Sequence, residues 1–320
     1  MGDLANATPR CRCAHLFLTF AVAAGVNLAC APETALAATG DDKSTDKSTA
    51  PAASAPSENS VAKFFNEWFA RSDRAKESQP HWMTPVVTVT PRLEQEYRYD
   101  QLWQNRPNGV YLQDWGFNKG LELIPTEHSE VIISVPGYLK ETTPKGTEYG
   151  WADETLLLKL RLLSENEENG NYIVTGFLGV AMPTGNTGLP FTTTQTVWTP
   201  TVAAGKGWGT REQGFDIQST LSVSYGDSNQ KEIGEPIVWN TAFQAHIFDK
   251  LWPEVEVNYT HYEQGKNAGK SQTVITSGLI LGRYELIGRS KFVIGVGYQQ
   301  TVSTFRIFNN SWIVTARAPF

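Results

Sequence analysis

Residues 87–103 read VTVTPRLEQEYRYDQLW, and this stretch decides the fold. Its odd positions carry Val87, Val89, Leu93, Tyr97, Tyr99 and Trp103. Its even positions carry Thr88, Thr90, Arg92, Glu94, Glu96, Arg98 and Asp100. Alternation at period two predicts a strand with one apolar and one polar face. The apolar face ends in aromatics, and the polar face holds charges of both signs. Such a strand is long, since globular strands average about five or six residues.

The same alternation recurs to the end of the chain. Tyr111, Trp115, Phe117, Leu121 and Leu123 alternate with Asp114 and Glu122, and Val131, Ile133 and Val135 follow a short turn. Leu156, Leu158, Leu160 and Leu162 alternate with Lys159 and Arg161. Further strands are expected at 172–182, 196–205, 214–226, 237–248, 252–262, 272–284, 291–299 and 306–320. About twelve strands in this length predict an antiparallel transmembrane β-barrel over residues 84–320. With both barrel ends on the periplasmic side, odd-numbered connections are expected to be long and even-numbered ones short. The third, fifth, seventh and ninth connections (140–153, 183–195, 227–236 and 263–271) are rich in Gly, Asn, Thr and Lys. The second, eighth and tenth (125–130, 249–251 and 285–290) are short.

Composition agrees. Only 19% of the 320 residues are charged, against 27 Gly, 10 Trp and 11 Tyr. The mean hydropathy of −0.32 excludes a polytopic helical membrane protein. A formal net charge of −6 argues against nucleic acid as a partner, because phosphate binding needs a basic surface.

The three cysteines, Cys11, Cys13 and Cys30, all lie in a stretch with Arg10 and Arg12, an apolar run from Leu16 to Ala31, and Ala35-Leu36-Ala37. That order predicts a secretory signal peptide, residues 1–37, cut after Ala37. The mature chain then holds no cysteine and no thiol chemistry. Residues 38–59 have linker composition and are expected to be disordered. Over 60–80 the period becomes helical: Val61, Phe64, Phe65, Trp68 and Phe69 share one face behind a capping Ser60. This helix is expected to pack on or plug the barrel, or to lie on lipid; periodicity leaves both open.

At the chain end, Phe308, Trp312, Val314, Ala316, Ala318 and Phe320 share a face opposite Asn309, Ser311, Thr315 and Arg317. An amphipathic last strand ending in Phe resembles the terminal signature of bacterial outer-membrane barrels. The resemblance implies that the barrel-assembly machinery reads Trp312 and Phe320, and that outer-membrane lipid surrounds the barrel. A narrower resemblance lies in Gly179-Val180-Ala181-Met182-Pro183-Thr184-Gly185 and in Thr199-Pro200-Thr201-Val202-Ala203-Ala204-Gly205-Lys206. Both are similar to elements of the outer-membrane transporter family named for the MetA pathway of phenol degradation. That family implies passage of small hydrophobic or aromatic solutes. By its residues alone, Pro-Thr-Gly is equally a plain turn.

No cofactor, metal site or catalytic group is expected. His261 stands on the apolar parity of Tyr259-Thr260-His261-Tyr262-Glu263, but Glu263 occupies the place where a lipid-acting barrel hydrolase would carry its serine. His128 and His246 are isolated. The candidate lumen residues are Arg92, Glu94, Glu96, Arg98 and Asp100 on one wall, and Lys159, Arg161, Glu254, Glu256 and Arg317 on others. They either hold water and a transverse field that selects solutes, or pair across the lumen and close it. The sequence therefore predicts a channel for small molecules. A secreted soluble all-β binding protein and a lipid-acting hydrolase are the alternatives.

Overall fold

From Glu96 onward each strand pairs with the next until the last meets the first, which closes a ring of twelve antiparallel staves. The computed structural model describes residues 60–320 apart from Asn118. The expected signal peptide and linker lie outside the described residues. The staves are β1 (Glu96–Arg106), β2 (Val110–Gly116 continued by Gly120–Thr126), β3 (Ser129–Ser134 continued by Tyr138–Thr143) and β4 (Gly146–Trp151 continued by Glu154–Glu165). They go on through β5 (Tyr172–Met182), β6 (Val197–Gly209), β7 (Gln213–Val223 with Tyr225–Gly226) and β8 (Pro236–Ile247). The last four are β9 (Leu251–Tyr262), β10 (Ser271–Ile287), β11 (Ser290–Thr301) and β12 (Asn310–Pro319). The seam sets Glu96 opposite Pro319 and Asn105 opposite Asn310. Closure satisfies every strand edge, which hydrocarbon requires because it offers no hydrogen-bond partner.

Side-chain parity explains which way the ring faces. Leu156, Leu158, Leu160, Leu162, Val202, Leu221, Val255, Ile275 and Val296 point outward and are exposed, whereas Lys159, Arg161, Glu254 and Glu256 are buried inside. Tyr97, Tyr99, Trp208, Phe215, Tyr284 and Phe292 ring the outside near the barrel's terminal end. Tyr149, Trp151, Trp239, Tyr259 and Trp312 ring it near the far end. An apolar band between two aromatic girdles is the surface of a barrel that lives in a membrane. Among the described residues no helix is long and apolar enough to cross one.

Two expectations about the strands are corrected. The third connection, expected as a long loop over 140–153, is a tight turn at Pro144 and Lys145 between extended staves. β2, β3 and β4 run past breaks at 117–119, 135–137 and 152–153. Bonds from Val135 N–H to the Lys119 carbonyl and from Ala152 N–H to the Gly137 carbonyl, both 2.8 Å, carry the sheet across. The second correction concerns the deciding stretch itself: strand pairing begins at Glu96, not Val87. Residues 79–95 run inside the ring. Pro85 and Pro91 have no amide hydrogen to give a ladder, and the alternating residues are enclosed on both sides: Val86, Thr88, Thr90, Leu93, Glu94 and Gln95 are all buried.

The helix α1 spans Ser60–Glu77 and crosses the terminal rim. Its second half packs, with Ala75 clustered against Leu93 and Ile124. Arg74 pairs with Glu127 at 2.6 Å, Asp73 pairs with Arg289, and Lys76 donates to the Phe320 carbonyl at 2.9 Å. The apolar face read from the sequence does not pack in its first turns, where Val61, Phe64 and Phe65 are exposed. The chain after the helix, rather than the helix, enters the lumen.

Candidate functional site

Residues 79–95 form a loop that is stapled at its base. Gln79 Nε2 donates to the Leu93 carbonyl at 2.8 Å, and Leu93 N–H donates back to Gln79 Oε1 at 2.9 Å. Arg92 donates to the Pro80 carbonyl at 2.5 Å and to the Trp82 carbonyl, and pairs with Glu94 at 2.7 Å. Arg92 and Glu94, expected on a strand wall, thus belong to the plug.

The wall grips this loop by its backbone. A segment outside any ladder carries unpaired N–H and C=O groups, which must find partners when buried. Glu254 Oε1 accepts from Val86 N–H at 2.9 Å; Glu256 accepts from Val87 and Thr88 N–H at 2.8 and 2.6 Å. From other staves, Arg98 donates to the Val86 carbonyl at 2.7 Å, and Arg317 donates to the Thr84 and Pro85 carbonyls. Lys159 reaches the Arg92 carbonyl at 3.2 Å and Thr175 the Pro91 carbonyl at 2.6 Å. Carboxylates therefore meet the amides and cations meet the carbonyls. Charge-assisted bonds of this kind are stronger than neutral ones.

The remaining charges are paired close by. Arg98 bonds Asp100 at 2.7 Å, and Lys159 bonds Glu130 at 3.0 Å. Glu130 also accepts from Glu94 N–H at 2.6 Å. Glu96 sits opposite Glu122 across β1 and β2. Arg161 turns toward the helix end, donating to the carbonyls of Ala75 at 2.8 Å and Glu127 at 2.6 Å and to Ser78 Oγ at 3.0 Å. Most of the wall charges singled out by the sequence thus hold the plug or its helix.

Sequence reasoning missed Glu130, Gln218, Arg283 and Trp82. Gln218 donates to the Met83 carbonyl at 2.9 Å and Arg283 to the Trp82 carbonyl at 2.8 Å. The available signal was glycine on the inner parity of β6: a Cβ at Gly205 or Gly207 would fall 2.5 Å from the Trp82 ring.

Two cavities flank the plug. A vestibule of about 400 Å³ between α1 and the rim is lined by Lys76, His81, Arg92, Glu94, Arg283 and Arg289 among others. A luminal cavity of about 230 Å³ beyond the plug is lined by Val89, Ile132, Leu157, Val180, Ala181 and Lys119 among others. Thr84 lines both.

At the far end, Pro183-Thr184-Gly185 starts loop 183–196 and anchors it. Asp153 accepts from Gly185 and Thr193 N–H, each at 2.8 Å, and Thr184 Oγ1 accepts from Glu154 N–H at 2.8 Å. Trp312 faces outward against Tyr298, and Phe320 N–H donates to the Gln95 carbonyl at 3.0 Å.

The β9–β10 register also supplies His261 with a serine that its own strand lacks. Ser271 lies opposite, its Oγ 2.8 Å from His261 Nδ1 and 3.0 Å from Tyr259 Oη, with Glu263 at 3.6 Å from His261 Nε2. The sequence missed this pair because it forms across a hairpin. Among the described residues no group of His, Cys, Asp and Glu could hold a metal ion; His246 stacks on Trp252 at 4.5 Å.

The chain is similar to an outer membrane channel from Pseudomonas putida F1, at 12% identity and TM-score 0.48, covering 74% of this chain and 98% of that one. It is also similar to OmpT, an outer membrane protein of Vibrio cholerae, at 9% identity and TM-score 0.28, over 73% and 99% of the two chains. OccK11 of Pseudomonas aeruginosa matches at 8% identity and TM-score 0.25, over 71% and 96%. No protein-family model matches the chain, and no curated protein matches it. Identities this low carry neither residue roles nor a substrate over to this chain.

Proposed function

We propose that this protein is an outer-membrane channel for small molecules, closed at rest by the 79–95 plug. The observation that carries the reading is the grip on the plug. It is wholly non-covalent, made by wall side chains to backbone groups, and it stands between two cavities that share Thr84. Such bonds can be exchanged for water without unfolding the ring, because the strand ladders do not include residues 79–95. Arg98, Glu254, Glu256 and Arg317 are the residues assigned to holding the closed state.

The apolar lining of the luminal cavity, together with the resemblance of residues 179–185 and 199–206 to the MetA-pathway transporters, supports small hydrophobic or aromatic solutes as cargo. Export by the 1–37 signal peptide and insertion through recognition of Trp312 and Phe320 complete the reading. The outward apolar band weighs against a soluble binding protein, which would expose no contiguous face of this size.

The test is a reversible lock. A Cβ on Gly297 would stand 3.6 Å from Val86 Cβ, within disulfide range. Val86→Cys with Gly297→Cys, in a chain whose Cys11, Cys13 and Cys30 are serine, is expected to show little conductance in planar bilayers when oxidised, and more after reduction. Equal conductance in both states would refute plug gating.

A further inference from the structure

We infer that the luminal cavity beyond the plug is a binding site for a small monocarboxylate with an apolar body, and that Lys119 holds its carboxylate. This deepens the channel reading by naming a class of cargo, although the binding itself does not depend on transport.

Charge singles out one residue. Of the cations that line this cavity, Arg98 is paired with Asp100 and Lys159 with Glu130. Lys119 makes no ion pair among the described residues; its ammonium lies 5.8 Å from the centre of the Phe117 ring. A lysine inside a barrel with no carboxylate in contact is costly unless water or an anion meets it. Its position is fixed by the break in β2. Lys119 N–H donates to the Gly116 carbonyl at 3.0 Å, its own carbonyl accepts from Val135, and Phe117 is held at φ 43°. A non-glycine residue in the left-handed region is a strained feature of the kind that gathers at ligand sites.

The rest of the lining selects what accompanies the carboxylate. Besides Thr84, Thr90, Thr155 and Thr199, the lining is mainly aliphatic, with Val89, Ile132, Leu157 and Ala181, so an inorganic anion would leave most of the cavity unfilled. Its volume of about 230 Å³ is below the roughly 300–1,000 Å³ of sites for drug-sized ligands, which limits the guest to a single ring or a short branched chain. Glu122 lines the same cavity and repels any anion there, a dianion more strongly than a monoanion, so the single carboxylate held on Lys119 is favoured over a dianion.

The experiment measures binding to the refolded full chain in detergent, with benzoate as probe and benzyl alcohol as its neutral counterpart. Saturable benzoate binding is expected, weakened about tenfold or more by Lys119→Met, with benzyl alcohol weaker and unaffected by that change. Gly179→Leu should abolish binding of both. A Cβ there meets Leu157 and Thr199 only at ordinary contact, 3.5 Å, so the added side chain fills the cavity without disturbing the wall. It keeps the test decisive if Lys119→Met does not fold. The proposal falls if a heat-modifiable preparation binds no benzoate, if Lys119→Met leaves benzoate affinity unchanged, or if inorganic phosphate binds as tightly as benzoate. Benzoate binding in a protein that carries no current would overturn the channel reading and still support this site.

Discussion

Single residues show how closely wall and plug are fitted. Gly207 on β6 lacks a side chain where Trp82 and Asn171 press in; a Cβ would stand 2.5 Å from Trp82 Nε1 and 2.6 Å from Asn171 Nδ2. Gly207→Val is therefore expected to expel Trp82 at a cost of about 1–3 kcal/mol, the range for overpacking. Trypsin should then cut at Arg92 in the mutant barrel while the ring itself stays resistant. A second residue-scale effect is acid-dependent. Glu167, in the turn between β4 and β5, is partly buried, which raises its carboxyl pKa. Hydrogen bonds from His81, through its backbone N–H at 2.6 Å and its ring at 2.8 Å, outweigh burial and bring the pKa down to about 2. A depressed carboxylate contributes fully above its ordinary value of 4.5 and loses that contribution as pH falls toward 2. Hydrogen exchange at the base of the plug should accelerate over that interval in the wild type. Glu167→Gln should exchange faster already at neutral pH and lose the acid dependence; an identical pH profile would show that the contact does no holding.

Elements were legible to different degrees, for reasons particular to each. Staves β5 to β12 could be read because lipid outside and a polar lumen inside impose period two on every residue. The same period misled at 87–95, since an extended chain threaded through a polar lumen also alternates between wall contacts. Only Pro85 and Pro91 distinguished it from a strand. The breaks in β2, β3 and β4 left no signal beyond Pro136 and scattered glycine, and the plug's hydrogen-bond partners named above are spread over eight staves, a juxtaposition no local pattern encodes. The wall charges stood out as charges on an inner face, but nothing in their spacing said that they would bind backbone. For α1 the sequence supplied the helix and not its seat. That seat depends on Arg161, whose planar fork reaches three acceptors at once. Arg161→Met should weaken the docking of the helix by about 1.5–3 kcal/mol, and Arg161→Lys should rescue only part, because an ammonium cannot span the same acceptors. Limited proteolysis within 60–78, compared with the heat-shifted mobility of the barrel, separates helix release from unfolding.

For the whole molecule the question is whether plug and ring are separable. The seam from Glu96–Pro319 to Asn105–Asn310 uses no residue before 96, and no strand ladder includes residues 79–95. Removing residues 60–93 would leave Glu254 and Glu256 without their amide donors and Arg317 without its carbonyls, a serious loss if those groups stayed dry. They would not stay dry, because the space vacated by the plug is continuous with the vestibule and fills with water. Arg98–Asp100 and Lys159–Glu130 keep their mutual bonds. The truncated chain is thus expected to refold into a heat-modifiable barrel of somewhat lower stability whose conductance in planar bilayers is severalfold that of the full chain. Its ion selectivity should be set by the uncovered charges, so that Glu254→Gln with Glu256→Gln shifts it toward anions. A truncated barrel that folds and conducts no better than the full chain would place the closure at loop 183–196, where Asp153 anchors the far end, and would reduce the plug to a stabilising insert.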